Sequence, residues 1–169
     1  MYNRTMTCTL ATRSLWLCLA ATLLVSGCRA REVGKDLRLV DVTTGWYDAG
    51  IVDGGENKLV PSVSLKIQNV SGEPIRNVQM NAIFRRGDET QIWGEHFGYA
   101  VDRNGLDAGA TGKAVVFRSE RGYTGPESRA QMLQHKDFVD ARVQVFGKHG
   151  SRTWVKMGEF PVERKLLTD

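Results

Sequence analysis

The chain has 169 residues, of which 41% are hydrophobic and 25% are charged, so it is long enough to form one globular domain around its own core. It carries 23 basic and 19 acidic residues, a surplus too small to be the footprint of a nucleic-acid-binding protein. Its three cysteines are Cys8, Cys18 and Cys28, so a disulfide framework is excluded in the part of the chain that follows residue 28.

The N-terminus shows the three zones of a secretory signal. A polar stretch over residues 1–13 contains two arginines and no acidic residue. An apolar run follows over residues 15–25. It has about half of the roughly 20 residues that a helix needs to cross a bilayer, so it indicates a cleaved signal helix. The run leads into an aliphatic residue and two small residues before a cysteine, Val25-Ser26-Gly27-Cys28.

This tetrapeptide resembles the lipobox of bacterial lipoproteins. The resemblance implies that residues 1–27 are removed as a signal peptide and that the Cys28 thiol receives a diacylglyceryl group, often with acylation of the freed amine. Two or three acyl chains supply the multiple membrane signals that stable anchoring requires. Residues 28–36 are then the lipidated N-terminus and a tether. A conventional signal peptide that leaves Cys28 as an ordinary thiol is the alternative.

The residue after the cysteine bears on where such a protein resides. In many Gram-negative lipoproteins an Asp at this position retains the protein in the inner membrane, and here the residue is Arg29. The resemblance therefore implies a cell-envelope location at the periplasmic face of the outer membrane. Arg31, Lys35 and Arg38 follow, interrupted by acidic residues, and they form either a solvated tether or a contact with anionic headgroups.

From residue 37 onward the pattern is typical of short strands. Apolar and polar residues alternate over residues 61–70 and again over residues 77–84, with a turn at residues 69–74 between them. We predict that the two strands form a half-buried antiparallel hairpin. Their apolar residues are expected to line one core: Val63, Leu65, Ile67, Val78, Met80, Ala82 and Phe84.

The rest of the chain repeats this pattern. One segment, residues 127–135, is rich in helix-forming residues and predicts a short helix. Short strands with frequent turns, and no strand–helix–strand alternation, predict an all-β fold over residues 37–169. This fold is an antiparallel immunoglobulin-like β-sandwich of about seven strands with one short helix. Further strands are predicted over residues 90–99, 112–118, 139–146 and 152–157.

Two segments resemble the FxLYD-type immunoglobulin-like modules of bacterial envelope proteins. Residues 63–78 combine a strand, an Asn-x-Ser turn that begins at Asn69, and a second strand. Residues 106–117 show the step from leucine through glycine into a strand that the same group has. Ala82-Ile83-Phe84 stands where the family has its Leu-Tyr-Asp motif. The resemblance implies the sandwich and assigns no activity, because such folds host many functions.

Motifs for catalysis and metal binding are absent from the sequence, which has no nucleophile elbow, zinc-binding His-Glu-x-x-His helix or phosphate loop. His96, His135 and His149 stand apart, either as surface histidines or as members of a site that the fold assembles. Residues 48–57 and 102–107 are acidic loops that suit either calcium or ordinary turns. We predict no catalytic residue, no cofactor, no metal site and no enzymatic activity.

An aromatic segment at residues 93–99 is the feature most suggestive of binding. Trp93, Phe97 and Tyr99 fall on one face of a predicted strand whose other face is nearly bare. Such a row, if exposed, can stack on sugar rings or receive a partner's strand, whereas a buried row belongs to the core. We expect a membrane-anchored, non-catalytic interaction or assembly module with an envelope protein as its partner. Glycan or peptidoglycan binding is the alternative.

Overall fold

Two β-sheets pack against each other in the computed structural model, which describes residues 31–167. The predicted signal peptide, Cys28 and Arg29 lie outside the described residues. Helix α1 spans Val33–Asp36 and helix α2 spans Arg129–Gln134. Neither of these described helices is long and apolar enough to cross a membrane. The strands are β1 (Leu37–Ile51), β2 (Asn57–Asn69), β3 (Val78–Arg86), β4 (Gly94–Val101), β5 (Val115–Arg118), β6 (Tyr123–Gly125), β7 (Ala141–His149), β8 (Val155–Pro161) and β9 (Leu166–Leu167).

The strand order confirms the predicted all-β sandwich. The first sheet has the order β5-β2-β1-β9, with β6 paired to another part of β2, and the second has the order β4-β3-β7-β8. All pairs are antiparallel except β1 with β9. The chain changes sheet after β2, after β4, after β6 and after β8, and the path from β1 to β8 is the Greek key of immunoglobulin-like sandwiches. The strands beyond the predicted seven are short, since β6 has three residues and β9 has two.

The predicted hairpin between β2 and β3 is wrong, because these strands lie in different sheets. The turn between them carries the chain across the sandwich and is held by the buried side chain of Asn69. Its amide nitrogen donates to the backbone oxygens of Glu73, Leu106 and Asp107, and its oxygen accepts from Ser71. Apolar alternation is the same for strands that pair side by side and for strands that face each other, so the pattern did not distinguish the two arrangements.

The core lies between the sheets and contains all seven residues predicted for it, each no more than 1% exposed. Val143 and Val145 of β7 are also fully buried and complete the layer opposite β2. Burial of each such side chain stabilises the fold by about 1.5–3 kcal/mol. Val139 is the first residue of the strand predicted over residues 139–146, but it is 41% exposed because β7 begins two residues later, at Ala141.

The folded unit begins at Arg31, earlier than the predicted boundary at residue 37. Val33 and Leu37 are four residues apart and both are buried in the core, because helix α1 turns them to the same side. The Asp36 carboxylate accepts a hydrogen bond from the Glu32 N–H at 3.0 Å. Residues 31–36 are therefore part of the domain and not a solvated tether.

Helix α2 lies within the predicted helical segment. Ser128 caps its first turn, and Gln131 returns a hydrogen bond to the Ser128 backbone, which completes a capping box. Met132 and Leu133 are the buried residues of this helix. The helix closes the end of the sandwich that is remote from α1.

We expect Ile67→Ala to lower the free energy of unfolding by about 2–5 kcal/mol, because it opens a cavity in the core. The control is Val116→Ala on the adjacent strand β5, where the side chain is 42% exposed. Its effect should stay within about 0.5 kcal/mol. Urea denaturation followed by circular dichroism gives both values. Equal midpoints for the two variants would show that the register of β2 is wrong.

Candidate functional site

Three aromatic side chains form an exposed group on the outer face of the second sheet. Phe97 and Tyr99 of β4 pair with Asn81 and Gln79 of β3, which alternate with buried core residues, so both rings point outward. Trp154 reaches this face from the turn before β8. The exposed fractions are 52% for Phe97, 58% for Tyr99 and 36% for Trp154. We call these three residues the aromatic cluster.

The rings of the aromatic cluster meet edge to face. The centroid of Phe97 lies 6.1 Å from that of Tyr99, with 70° between the ring planes. The centroid of Trp154 lies 6.1 Å from that of Phe97, with 86° between the planes. Lys148 lies 4.8 Å from the centroid of the Trp154 ring, a cation–π contact that helps to hold this ring over β7. The cluster is therefore an uneven apolar surface and not a flat one.

Amide groups beside the cluster offer hydrogen bonds to a ligand. Gln79 donates to the Tyr99 hydroxyl at 2.9 Å, and the Asn81 amide nitrogen lies 3.4 Å from the Glu95 carboxylate. The Asn81 side-chain oxygen is buried and has no hydrogen-bond partner in the part of the chain that the structure describes. A buried acceptor without a partner costs about 1–3 kcal/mol.

Glu159 on the same sheet face is paired within the domain. Lys156 and Gln144 donate to its carboxylate, and the bond from Lys156 is the larger cause that holds the pKa of Glu159 below its ordinary value. Near the aromatic cluster, this face presents aromatic and amide groups and the Glu95 carboxylate to a ligand.

The structure corrects the prediction that Trp93 belongs to this surface. Trp93 precedes the first residue of β4, and its N–H donates to the backbone oxygen of Phe84 at 2.9 Å. Its ring is partly buried and lies 6.1 Å from the Trp46 ring and 5.1 Å from the Tyr123 ring. The predicted alternation holds only from Gly94 onward, so Trp93 joins the core.

Trp154 takes the place that was expected for Trp93. The sequence pattern predicts that Trp154 lies inside the strand over residues 152–157, whereas β8 begins at Val155, which pairs with Gly147. Trp154 therefore ends the turn before β8, and a turn does not by itself determine the sheet face over which its last side chain folds. Nothing in the sequence indicated the contact of Trp154 with Phe97.

A second aromatic group lies at the end of the sandwich near α2 and belongs to the core. The Trp46 ring lies 4.6 Å from the Phe138 ring and 5.7 Å from the Tyr123 ring. A shallow cavity of about 310 Å³ beside them is lined by Met132, Phe138 and Tyr123 and by acidic residues that include Glu127. These rings are packed against one another, so they offer a partner less aromatic surface than the aromatic cluster does.

The three histidines occupy separate places in the fold. His96 bridges β4 and β5, with its Nδ1 atom 3.0 Å from the backbone oxygen and 3.2 Å from the backbone nitrogen of Arg118. His135 ends α2 and accepts a hydrogen bond from the Asp137 N–H at 3.3 Å. His149 is the last residue of β7, at the other end of the sandwich from α2. The fold does not bring His135 and His149 together, and the absence of catalysis stays a prediction.

The two acidic loops form turns whose aspartates bind the chain's own groups. Asp48 accepts from the Gly50 N–H and pairs with Arg129, and these contacts, the backbone bond first, hold its pKa below the ordinary value. The Asn104 N–H is the main cause of a lowered pKa at Asp102. Among residues 31–167 there is no group of three or more His, Cys, Asp or Glu side chains placed to hold a metal.

Comparisons with known proteins give no family for this chain. No family model matches it, and no curated protein matches it. Among solved structures, it is similar to the X-ray structure of Northeast Structural Genomics Consortium target SoR45, with 11% sequence identity and a TM-score of 0.44. The similarity covers 78% of this chain and 89% of that chain. A likeness of this size carries no information on function.

If the aromatic cluster serves binding and not folding, Phe97→Ala should change the free energy of unfolding by less than about 0.5–1 kcal/mol. The matched control is Phe84→Ala, which removes the same ring from a fully buried site and should cost about 3–5 kcal/mol. Both values come from urea titrations. A loss at Phe97 as large as the loss at Phe84 would assign the exposed ring to the core instead.

Proposed function

We propose that this chain is a lipid-anchored bacterial envelope protein that binds a protein partner through the aromatic cluster and catalyses no reaction. The observation that carries the proposal is the exposure of Phe97, Tyr99 and Trp154 together on one sheet face. Aromatic side chains at the centre of protein interfaces contribute a large share of the binding free energy when a partner covers them. Folding gains little from three such rings that stay largely in water.

The shape of the cluster favours a protein partner over a glycan. Sugar rings stack on flat aromatic faces, whereas the ring planes here are inclined by 70° and 86° to their neighbours. An uneven apolar surface instead accommodates the irregular side chains of a protein. Glycan or peptidoglycan binding remains the second candidate, because Gln79, Asn81 and Glu95 beside the rings are groups that bind hydroxyls.

The envelope address in this proposal rests on Val25-Ser26-Gly27-Cys28 and on the signal-like residues before it. The thiol of Cys28 would carry the acyl chains, and Arg29 in the following position supports the periplasmic face of the outer membrane. A domain held there meets other envelope proteins at high local concentration, because both are confined to the same surface. The relation to FxLYD-type modules stays a resemblance and is part of the same proposal.

Photocrosslinking in intact cells tests the protein-partner proposal. A photoreactive benzoylphenylalanine placed at Tyr99 should give adducts with a discrete envelope protein. The same residue placed at Ile51, which is 68% exposed at the other end of the sandwich, should not. Combining Phe97→Ala with Trp154→Ala should reduce the Tyr99 adduct at least about tenfold, since aromatic hot spots contribute about 2 kcal/mol or more. Adducts of equal yield at both positions would contradict the proposal.

Sedimentation with purified peptidoglycan separates the two candidates. The protein-partner proposal predicts that the domain stays in the supernatant with or without the two alanine substitutions. If the unsubstituted domain sediments and the doubly substituted domain does not, the aromatic cluster binds glycan and the protein-partner proposal is wrong.

A further inference from the structure

We propose that one end of the sandwich rests on phospholipid headgroups, an inference that depends on the proposed lipidation of Cys28. This end consists of α1 and the turns at residues 70–77, 102–114 and 150–153, and we call it the anchor-side end. Strands β1, β3 and β8 begin at this end, and strands β2, β4 and β7 finish there.

Backbone hydrogen bonds join the turns of the anchor-side end into one surface. The Asn77 N–H donates to the Asp102 oxygen at 3.0 Å, and the Gly150 N–H donates to the Asn77 oxygen at 3.3 Å. Ile75 and Leu106 exchange a pair of backbone hydrogen bonds. Because the turns are bonded to one another, they present a fixed surface to whatever lies against them.

Arg31 fixes the start of the described chain to the same end. Its guanidinium pairs with the Glu73 carboxylate at 2.5 Å and also donates to the Ser71 hydroxyl and the Pro74 oxygen. Two residues later, Val33 is 4% exposed in the core. The Val70 N–H donates to the Asp36 oxygen at 2.9 Å, which ties α1 to the turn at residues 70–77. The chain therefore joins the domain at Arg31.

The length of chain between the lipid and this attachment decides the orientation. Arg31 follows Cys28 by three residues, and an extended chain of that length spans about 11 Å at most. The nine-residue strand β7 alone is about 30 Å long. A tether shorter than the domain keeps the anchor-side end close to the headgroups, and the opposite end is then farther from them in every orientation except one that lays the domain on its side.

The charge of this surface suits headgroups of either type. Arg31 pairs with Glu73, and Lys35 pairs with Glu32 at 2.7 Å. The other charged groups of the anchor-side turns leave a surplus of two positive charges. This surplus adds a modest attraction to anionic lipids, and the covalent anchor holds the contact. The remaining charged residues are Arg76, Arg103, Lys113 and Arg152 with Asp102 and Asp107.

This orientation determines how the aromatic cluster meets its partner. The strands of the second sheet run away from the anchor-side end, so the outer face of that sheet looks along the membrane. Tyr99 lies two residues from the end of β4 at Val101, close to the anchor-side end. A partner would approach sideways, near the membrane surface, and α2 would point away from it.

Energy transfer tests the orientation with the full-length lipidated protein in vesicles of phosphatidylethanolamine and phosphatidylglycerol that carry a headgroup-linked acceptor. The chain has no cysteine after Cys28, so each introduced cysteine takes the donor dye alone. Dyes at Arg76→Cys and Arg152→Cys should transfer at least about twofold more efficiently than dyes at Asp53→Cys and Lys136→Cys, since the two ends are about 30 Å apart. The ratio should persist in about 1 M NaCl.

A spacer and a mass measurement complete the test. Inserting about ten Gly and Ser residues between Ala30 and Arg31 should bring the ratio close to one, because the longer tether no longer orients the domain. Equal transfer from both ends without the spacer, or an unchanged ratio with it, would overturn the orientation. The intact mass is measured first: a protein without lipid at Cys28 contradicts the proposed function, whereas a lipidated protein with equal transfer contradicts this inference alone.

Discussion

Apolar side chains of β2 meet those of β3 and β7 across the sandwich, and their burial is the constraint on which the rest of the molecule depends. The sequence has no cysteine after Cys28, so no disulfide joins the two sheets as it does in antibody domains. Packing and buried hydrogen bonds must hold the sheets together instead. The Asn69 side chain donates three of these hydrogen bonds and thereby fixes two turns at the anchor-side end.

The aromatic residues fall into two groups, one in the core between the sheets and one on the exposed face of the second sheet. Trp46, Trp93 and Phe138 fill the end of the core near α2, where edge-to-face contacts add to the benefit of burial. Phe97 and Tyr99 lie on the opposite side of the second sheet, where folding gains little from them. The second sheet thus has one face that stabilises the domain and one face that is exposed and available to the proposed partner.

The sequence predicted the parts of this arrangement that depend on local pattern. Period-two alternation identified the core residues of β2 and β3, and residue composition identified α2. Alternation does not encode which strand lies beside which, so the pairing of β2 and β3 was wrong. Val33 was missed because a single apolar residue in a charged segment shows no period. Trp93 lies in the core and Trp154 in the aromatic cluster, contrary to the prediction for Trp93, because the contacts of both rings are set by turns and not by a strand register.

The proposed link between the domain and the membrane would give these features a common purpose. Arg31, the first described residue, is bound to the domain through three separate groups. The proposed envelope role depends on acyl chains at Cys28, and the most direct measurement is palmitate incorporation with membrane fractionation for the unsubstituted protein and for Cys28→Ser. The account predicts labelled protein in the membrane fraction, and an unlabelled, folded Cys28→Ser protein in the soluble fraction. Undiminished labelling of Cys28→Ser would contradict it.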